Sequence, residues 1–229
     1  HVVLGRALTL KQKKDKKSLK EEAVMKITRH YTKENEDVYS SNMEFRTTSS
    51  EIRNPDGSTV FSQKGVEVPS SWSQVAADVL AQKYFRKAGI PSILKKVPEK
   101  GVPNFLWRSV PDDERLSKIK KGEQFKGESS CKEVFDRIVG AWTYWGWRGG
   151  YFSSEKDALA YYDEMRFILA TQQGAPNSPQ WFNTGIHWAY GIDGPSQGHY
   201  YVDHVTGKLE KSKSAYEHPQ PHACFIQSV

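Results

Sequence analysis

Two places in the last third of this 229-residue chain carry residue types that can do chemistry. The first is Ala175-Pro176-Asn177-Ser178-Pro179, where a carboxamide and a hydroxyl sit between two prolines. Proline presets φ, so neighbouring N–H groups can be aimed at an anion, a phosphate among others, with little entropic loss, and Ser178 adds a hydroxyl. Taken alone, a turn of this kind is most often merely structural. The second place is Cys224, within His222-Ala223-Cys224-Phe225-Ile226, a thiol at the start of an apolar, strand-like stretch. A thiol can in general pair with a second thiol, deliver two electrons and close to a disulfide. As a lone cysteine it is more often a small buried hydrophobe. The other cysteine, Cys131, opens a helical pattern, where first-turn N–H groups can lower a thiol pKa. No base lies near it in sequence, and it reads as an ordinary small residue.

Other candidates are weaker. His187, Asp193, His199, Asp203, His204 and His218 fall between the turn and Cys224, but their spacing fits no common zinc pattern. The glycines among them, Gly191, Gly194, Gly198 and Gly207, mark loops and a hairpin, and no metal is expected. The run from Trp142 to Phe152 is the densest aromatic cluster. Such rings can stack on sugars or bases, or plug a core in which glycines let backbones approach closely. The plug is the favoured reading. The alternative is a stand-alone module that binds carbohydrate or nucleic acid through Trp142–Trp147.

The net charge of +6 is concentrated at one end. Residues 1–24 carry seven Lys/Arg against Asp15, Glu21 and Glu22, a net +4, which leaves +2 for the other 205 residues. The body therefore lacks the footprint of a nucleic-acid binder, and no specific nucleic acid is expected as partner. Residues 1–24 read as a basic, disordered leader ahead of Met25 and are set apart from the fold. No apolar run approaches the roughly 20 residues that span a bilayer, and no secretory h-region opens the chain. Two cysteines exclude a disulfide framework, which favours reduced thiols in a cytoplasm.

The elements that must position these residues follow from local pattern. Asn54-Pro55-Asp56-Gly57 predicts a turn between extended segments at 50–53 and 58–61, with Phe45–Thr48 also strand-like. A helix is expected over 71–88, capped by Ser70 or Ser71, with Trp72, Val75, Ala76, Val79, Leu80 and Phe85 on its buried side. Residues 90–128, rich in Pro and Lys, suit a wrapping segment anchored by Phe105, Leu106 and Trp107. Ser130 with Glu133 forms a capping box for a helix over about 131–145, whose buried side is Val134, Phe135, Ile138, Val139 and Trp142. A further helix runs from Ser154-Glu155-Lys156-Asp157 to about Gln172, with Gly174 as its stop. Tyr200–Asp203 and Lys208–Glu210 pair across Thr206-Gly207.

The string Pro176-Asn177-Ser178-Pro179-Gln180-Trp181-Phe182-Asn183-Thr184-Gly185, the segment Ser70–Arg86 and the Ala223-Cys224 pair together resemble the class II ribonucleotide reductases, the adenosylcobalamin-dependent enzymes that make deoxyribonucleotides for DNA synthesis. The resemblance covers roughly residues 25–229 and concerns the N-terminal part of such an enzyme. It implies a mixed α/β fold, helix-rich in its N-terminal region, leading into the first strand of a ten-stranded α/β barrel. It also implies that Asn177 and Ser178 lie under the substrate phosphates, joined by Ala223 and Cys224 in the substrate site. Many related reductases have Thr where this chain has Ala175, so more must rest on Ser178. Cys224 would be one of two reducing thiols, its partner lying beyond this chain. The implied chemistry begins with a thiyl radical, made when the cobalt–carbon bond breaks, and ends with loss of the 2′-hydroxyl as water. Adenosylcobalamin belongs to the complete enzyme and is not expected to bind this stretch alone. The implied partners are a ribonucleoside di- or triphosphate, a dNTP effector, the rest of the reductase polypeptide and a thioredoxin-like reductant. Residues 25–229 contain no Asn-x-Cys-x-Glu loop for the radical thiol, so the chain by itself is expected to be inactive.

Overall fold

The hairpin signal is the most local and holds. In the computed structural model, which describes residues 24–196, 198–203 and 205–219, β1 (Phe45–Arg53) pairs antiparallel with β2 (Thr59–Pro69). The Asn54 N–H donates to the Ser58 carbonyl at 2.8 Å, and Gly57, at φ +85°, donates to the Asn54 carbonyl. Val66 and Val68 alternate inward on β2 and are wholly buried. The expected leader, apart from Val24, and the expected barrel strand at Cys224 lie outside the described residues.

The next helix starts later than its sequence suggests. α1 (Gln74–Val79) is capped by Ser73, whose hydroxyl accepts from the Ala76 N–H, rather than by Ser70 or Ser71. Tertiary contacts hold residues 70–72 out of the helix. The Ser70 N–H donates to the Glu44 carbonyl, and the buried Trp72 indole donates to the Ala170 carbonyl at 2.7 Å. The chain then passes through one π turn, Leu80–Tyr84, in which the Phe85 N–H donates to the Leu80 carbonyl. The buried face is Ala77, Leu80, Ala81 and Phe85. Val75 and Val79, expected inside, are 71% and 44% exposed. The core packs against the Ala76-Ala77 side of α1 instead.

Short strands build the wrapping segment. β3 (Ile90–Pro91) pairs with β6 (Phe125–Lys126), and β4 (Leu94–Lys96) with β5 (Ser109–Pro111). Leu106 is a buried anchor as expected, while Phe105 and Trp107 are half-buried. The short α2 (Asp113–Leu116) tucks Leu116 inward.

Two longer helices carry the core. α3 (Cys131–Arg148) opens with the complete capping box of Ser130 and Glu133. It buries Val134, Phe135, Ile138 and Val139 against α4 (Glu155–Ala170), β2, α1 and Trp181. α4 starts at the Ser154 cap but ends at Thr171, before Gly174. The left-handed residue that follows is Gln172, at φ +58°. One side of α4 is polar where it is buried. The Glu164 carboxylate accepts the Thr32 hydroxyl at 2.6 Å and the N–H groups of His30, Tyr31 and Thr32. Asp163 accepts Arg29 and Arg166, each at 2.7 Å. These bonds, with one from the Ile27 N–H to Asp157 at 2.8 Å, fasten the entering chain at residues 27–32 onto α4.

The Cys131 thiol, in the first turn of α3, is fully buried. Burial, reinforced by the nearby Glu67 carboxylate, pushes its pKa far up. Desolvation therefore outweighs the first-turn N–H groups, and the thiol is inert. After α4 the chain forms α5 (Ser178–Asn183) and α6 (Ile186–Tyr190), then the expected hairpin of β7 (Tyr200–Val202) and β8 (Leu209–Lys211). Each described sheet has two strands, and the described chain is mixed α/β.

Candidate functional site

The proline-bounded turn sits where a ligand can reach it. Asn177 is the extended residue ahead of α5, with Pro179 in the first turn, and its side chain makes no capping bond to that helix. Asn177 and Ser178 are both exposed. The Ser178 hydroxyl lies 3.0 Å from the Tyr84 hydroxyl. Within α5 it is Trp181 that faces inward, while Phe182 and Asn183 are exposed. Trp181 is buried, and its indole N–H donates back to the Pro176 carbonyl at 2.9 Å, closing the turn on itself.

Behind the turn is a buried ion pair that sequence reasoning missed. Arg137 of α3 and Glu128 both have fully buried side chains, with Arg137 Nε 2.6 Å from Glu128 Oε1. The remaining guanidinium donors reach the Thr184 carbonyl at 2.8 Å and the Trp181 carbonyl at 2.7 Å. Glu128 in turn accepts the Arg86 N–H at 2.7 Å and the Tyr190 hydroxyl at 2.8 Å. One guanidinium thus satisfies the carbonyl end of α5, the helix whose other end is the Asn177-Ser178 turn. Planar, five-donor Arg suits a fork of this kind where Lys would not. A signal was present in the sequence. Arg137 lies three residues after Val134 and four before Ala141, both on the buried stripe of α3.

Two glycines make the close packing here sterically workable. At Gly185, φ is +84°, and an added Cβ would fall 1.9 Å from the Arg137 carbonyl oxygen. At Gly140, an added Cβ would fall 2.1 Å from the Trp188 ring, which packs against α3.

The aromatic run serves the scaffold. The Trp142 indole donates to Gln180 Oε1 at 3.2 Å, and the Thr184 hydroxyl donates to the same oxygen at 2.7 Å, so Trp142 braces α5. Trp147 donates to the Gly101 carbonyl at 2.7 Å. Tyr144, Trp145, Tyr151 and Trp188 line a cavity of about 1190 Å³ together with Arg108 and Arg148. Inside it the Glu99 carboxylate takes the Tyr144 hydroxyl at 2.9 Å and pairs with Arg148. Burial and that carboxylate push the Tyr144 phenol up to about 12.

The His/Asp positions scatter. His187 lines the cavity, while the His199 ring meets the His218 carbonyl at 3.0 Å and the His218 ring stacks on Tyr201. Asp193 accepts the Gly194 N–H and the Ser214 hydroxyl. The Asp203 carboxylate caps its own turn through the N–H groups of Val205 and Thr206. Among the described residues no three His, Cys, Asp or Glu converge as metal ligands do. His204, Ala223 and Cys224 lie outside the described residues.

Comparison with known proteins is consistent in direction. The family model described as class II vitamin B12-dependent ribonucleotide reductase matches residues 46–172, more than half of the chain. The chain is 66% identical over 205 residues to a vitamin B12-dependent ribonucleotide reductase of Bradyrhizobium diazoefficiens, a match covering 90% of this chain and 16% of that protein. It is 62% identical, with the same coverage, to the protein of that name from Agrobacterium fabrum. With the one from Rhodopirellula baltica it shares 32% identity over 181 residues, or 79% of this chain and 14% of the relative. The chain thus spans about a sixth of the length of these relatives. Nothing in these comparisons supports a stand-alone carbohydrate or nucleic-acid module, and the internal bonds of Trp142 and Trp147 argue against one.

Proposed function

The chain belongs to the class II vitamin B12-dependent ribonucleotide reductases, and from that premise we infer that it forms the N-terminal part of an enzyme reducing ribonucleoside di- or triphosphates to deoxyribonucleotides. In this reading the Asn177-Ser178 turn lies under the substrate phosphates. Ala223 and Cys224 complete the substrate site from the first strand of a ten-stranded α/β barrel formed with the rest of the polypeptide. Cys224 and a partner thiol beyond this chain each give up one electron and one proton and end as a disulfide. The substrate's 2′-hydroxyl leaves as water, so two thiols and one ribonucleotide give a disulfide, a deoxyribonucleotide and water. A thioredoxin-like reductant restores the dithiol, a dNTP acts as effector, and the reaction runs in a reducing cytoplasm. Among the described residues no helix is long and apolar enough to cross a membrane.

The family match supports this reading. In the geometry, it is carried by the exposed Ser178 hydroxyl, on a turn that opens α5, the helix whose far end Arg137 holds.

Adenosylcobalamin is the cofactor proposed for the complete enzyme, where it would supply the radical. No site for it is assigned among the described residues. The large cavity is lined by the rings of Tyr144, Trp145, Tyr151 and Trp188 and also by Arg108, Arg148 and His187. Its Glu99 carboxylate is already taken by Tyr144 and Arg148. No step is therefore assigned to the cofactor on this chain.

The test is Cys224→Ser in the full-length reductase. Ser is nearly isosteric but cannot form the disulfide, so multiple-turnover reduction with a dithiol present should fall to background while substrate still binds. Substantial turnover would remove Cys224 from the reaction.

A further inference from the structure

The helical stretch that begins with α1 ends in the π turn Leu80–Tyr84. A π turn inserts a residue into the helical ladder and re-aims the side chains after it, and such turns concentrate at functional sites. Here the side chain that emerges is Tyr84. Its ring stacks on Trp181 at 5.4 Å between centroids and meets Phe182 at 5.3 Å. These contacts fix the direction of the phenol, and its hydroxyl ends 3.0 Å from Ser178 Oγ on the exposed face of the turn. The backbone is tied to the same frame. The Arg137 guanidinium that holds the Trp181 and Thr184 carbonyls also approaches the Tyr84 carbonyl, at 3.4 Å. Tyr84 and Ser178, 94 residues apart in sequence, are thus held together both at their side chains and through one buried cation behind them.

We propose that Tyr84 is a positioning residue of the phosphate turn, pairing its hydroxyl with that of Ser178 to present one fixed, free O–H to an anionic ligand. The pair has two O–H groups and one mutual hydrogen bond. Whichever hydroxyl donates within the pair, the other keeps its proton for a phosphate oxygen, and the shared bond holds that donor in place. A lone serine hydroxyl would rotate freely and lose that freedom on binding. A preorganised donor contributes to binding without bearing on the chemical step, which takes place at the ribose. The inference rests on the reading of Asn177-Ser178 as the substrate-phosphate turn.

The experiment uses full-length reductase with its ribonucleotide substrate and compares Tyr84→Phe, Ser178→Ala and the double variant. Phenylalanine keeps both ring contacts. Tyr84→Phe should raise KM about fivefold, the scale of one net hydrogen bond, and leave kcat within about twofold, the pattern of lost ground-state binding. Because the two hydroxyls act as one unit, the double variant should be no worse than Ser178→Ala alone. A raised KM in Ser178→Ala with an unchanged KM in Tyr84→Phe would overturn the role of Tyr84 and leave the phosphate turn standing. Multiplied effects in the double variant would overturn it as well, since Tyr84 would then act apart from Ser178. An unchanged KM in Ser178→Ala would instead sink the phosphate-turn reading itself, and the inference with it.

Discussion

Replacing Arg137 by Met tests whether one buried cation holds the candidate site together. Methionine roughly keeps the length of the side chain and removes the charge and every donor. Three consequences follow from the contacts. Glu128 keeps the Arg86 N–H and the Tyr190 hydroxyl but loses its countercharge inside the protein. Removing one partner of a buried pair costs about 3–5 kcal/mol, mainly because the other charge is stranded. The Trp181 and Thr184 carbonyls each lose a charged donor, worth about 1.5–3 kcal/mol apiece. These losses overlap because they arise from one guanidinium, so the expected destabilisation is about 4 kcal/mol rather than the sum. That is a large share of the ~5–15 kcal/mol typical of a folded domain. Urea unfolding of the chain, followed by tryptophan fluorescence, reads it directly. With a slope of about 2 kcal/mol per molar, the midpoint should fall by roughly 2 M. Adding Glu128→Gln to Arg137→Met should recover part of the loss. It removes the stranded charge and keeps an acceptor for Tyr190, but leaves the two carbonyls unserved. A midpoint shift below about 0.5 M for the single variant would refute the assignment of Arg137 as the clamp on α5.

Two further expectations follow from titrating groups. At Glu164 burial alone would raise the carboxyl pKa, but the hydrogen bonds from the Thr32 hydroxyl and the N–H groups of His30, Thr32 and Tyr31 outweigh it and hold the pKa below the ordinary range. A depressed folded pKa contributes stability that is fully present above the unfolded value of about 4.3 and lost as pH falls through the folded one. Hydrogen exchange at the Tyr31 and Thr32 amides, corrected for intrinsic rates, should therefore show protection at pH 7 that is lost toward pH 3. Glu164→Gln should weaken that protection at pH 7, and equal protection in all three conditions would show that Glu164 does not fasten the entering chain. Cys131, with its pKa pushed far up by burial, should resist a thiol reagent at pH 8 in the folded chain and react once urea unfolds it. Stoichiometric labelling of Cys131 in the native state, located by mass spectrometry, would show that α3 opens more readily than its packing implies.

Sequence alone was sufficient wherever a few neighbouring residues satisfy one another. The Asn54–Gly57 turn, the Ser130/Glu133 capping box, the Ser154 start of α4 and the Thr206-Gly207 hairpin are each closed by bonds spanning about four residues, so the residue types announce the geometry. The Asn177-Ser178 turn was legible for the same reason, because its prolines act on the adjacent backbone. The tertiary structure decided everything that depends on which groups lose water together. It put the cap of α1 at Ser73, since Ser70 and Trp72 are bonded to Glu44 and Ala170. It turned Val75 and Val79 outward and buried Asp163 and Glu164 under the entering chain. Most of all, it drew Arg137 and Glu128 into the interior and Tyr84 to Ser178. A charged or hydroxylated residue is at home in water, and only partners brought in from distant parts of the chain make its burial favourable. Residue type therefore marks such a residue as exposed, even on a buried stripe as at Arg137, until the fold supplies those partners.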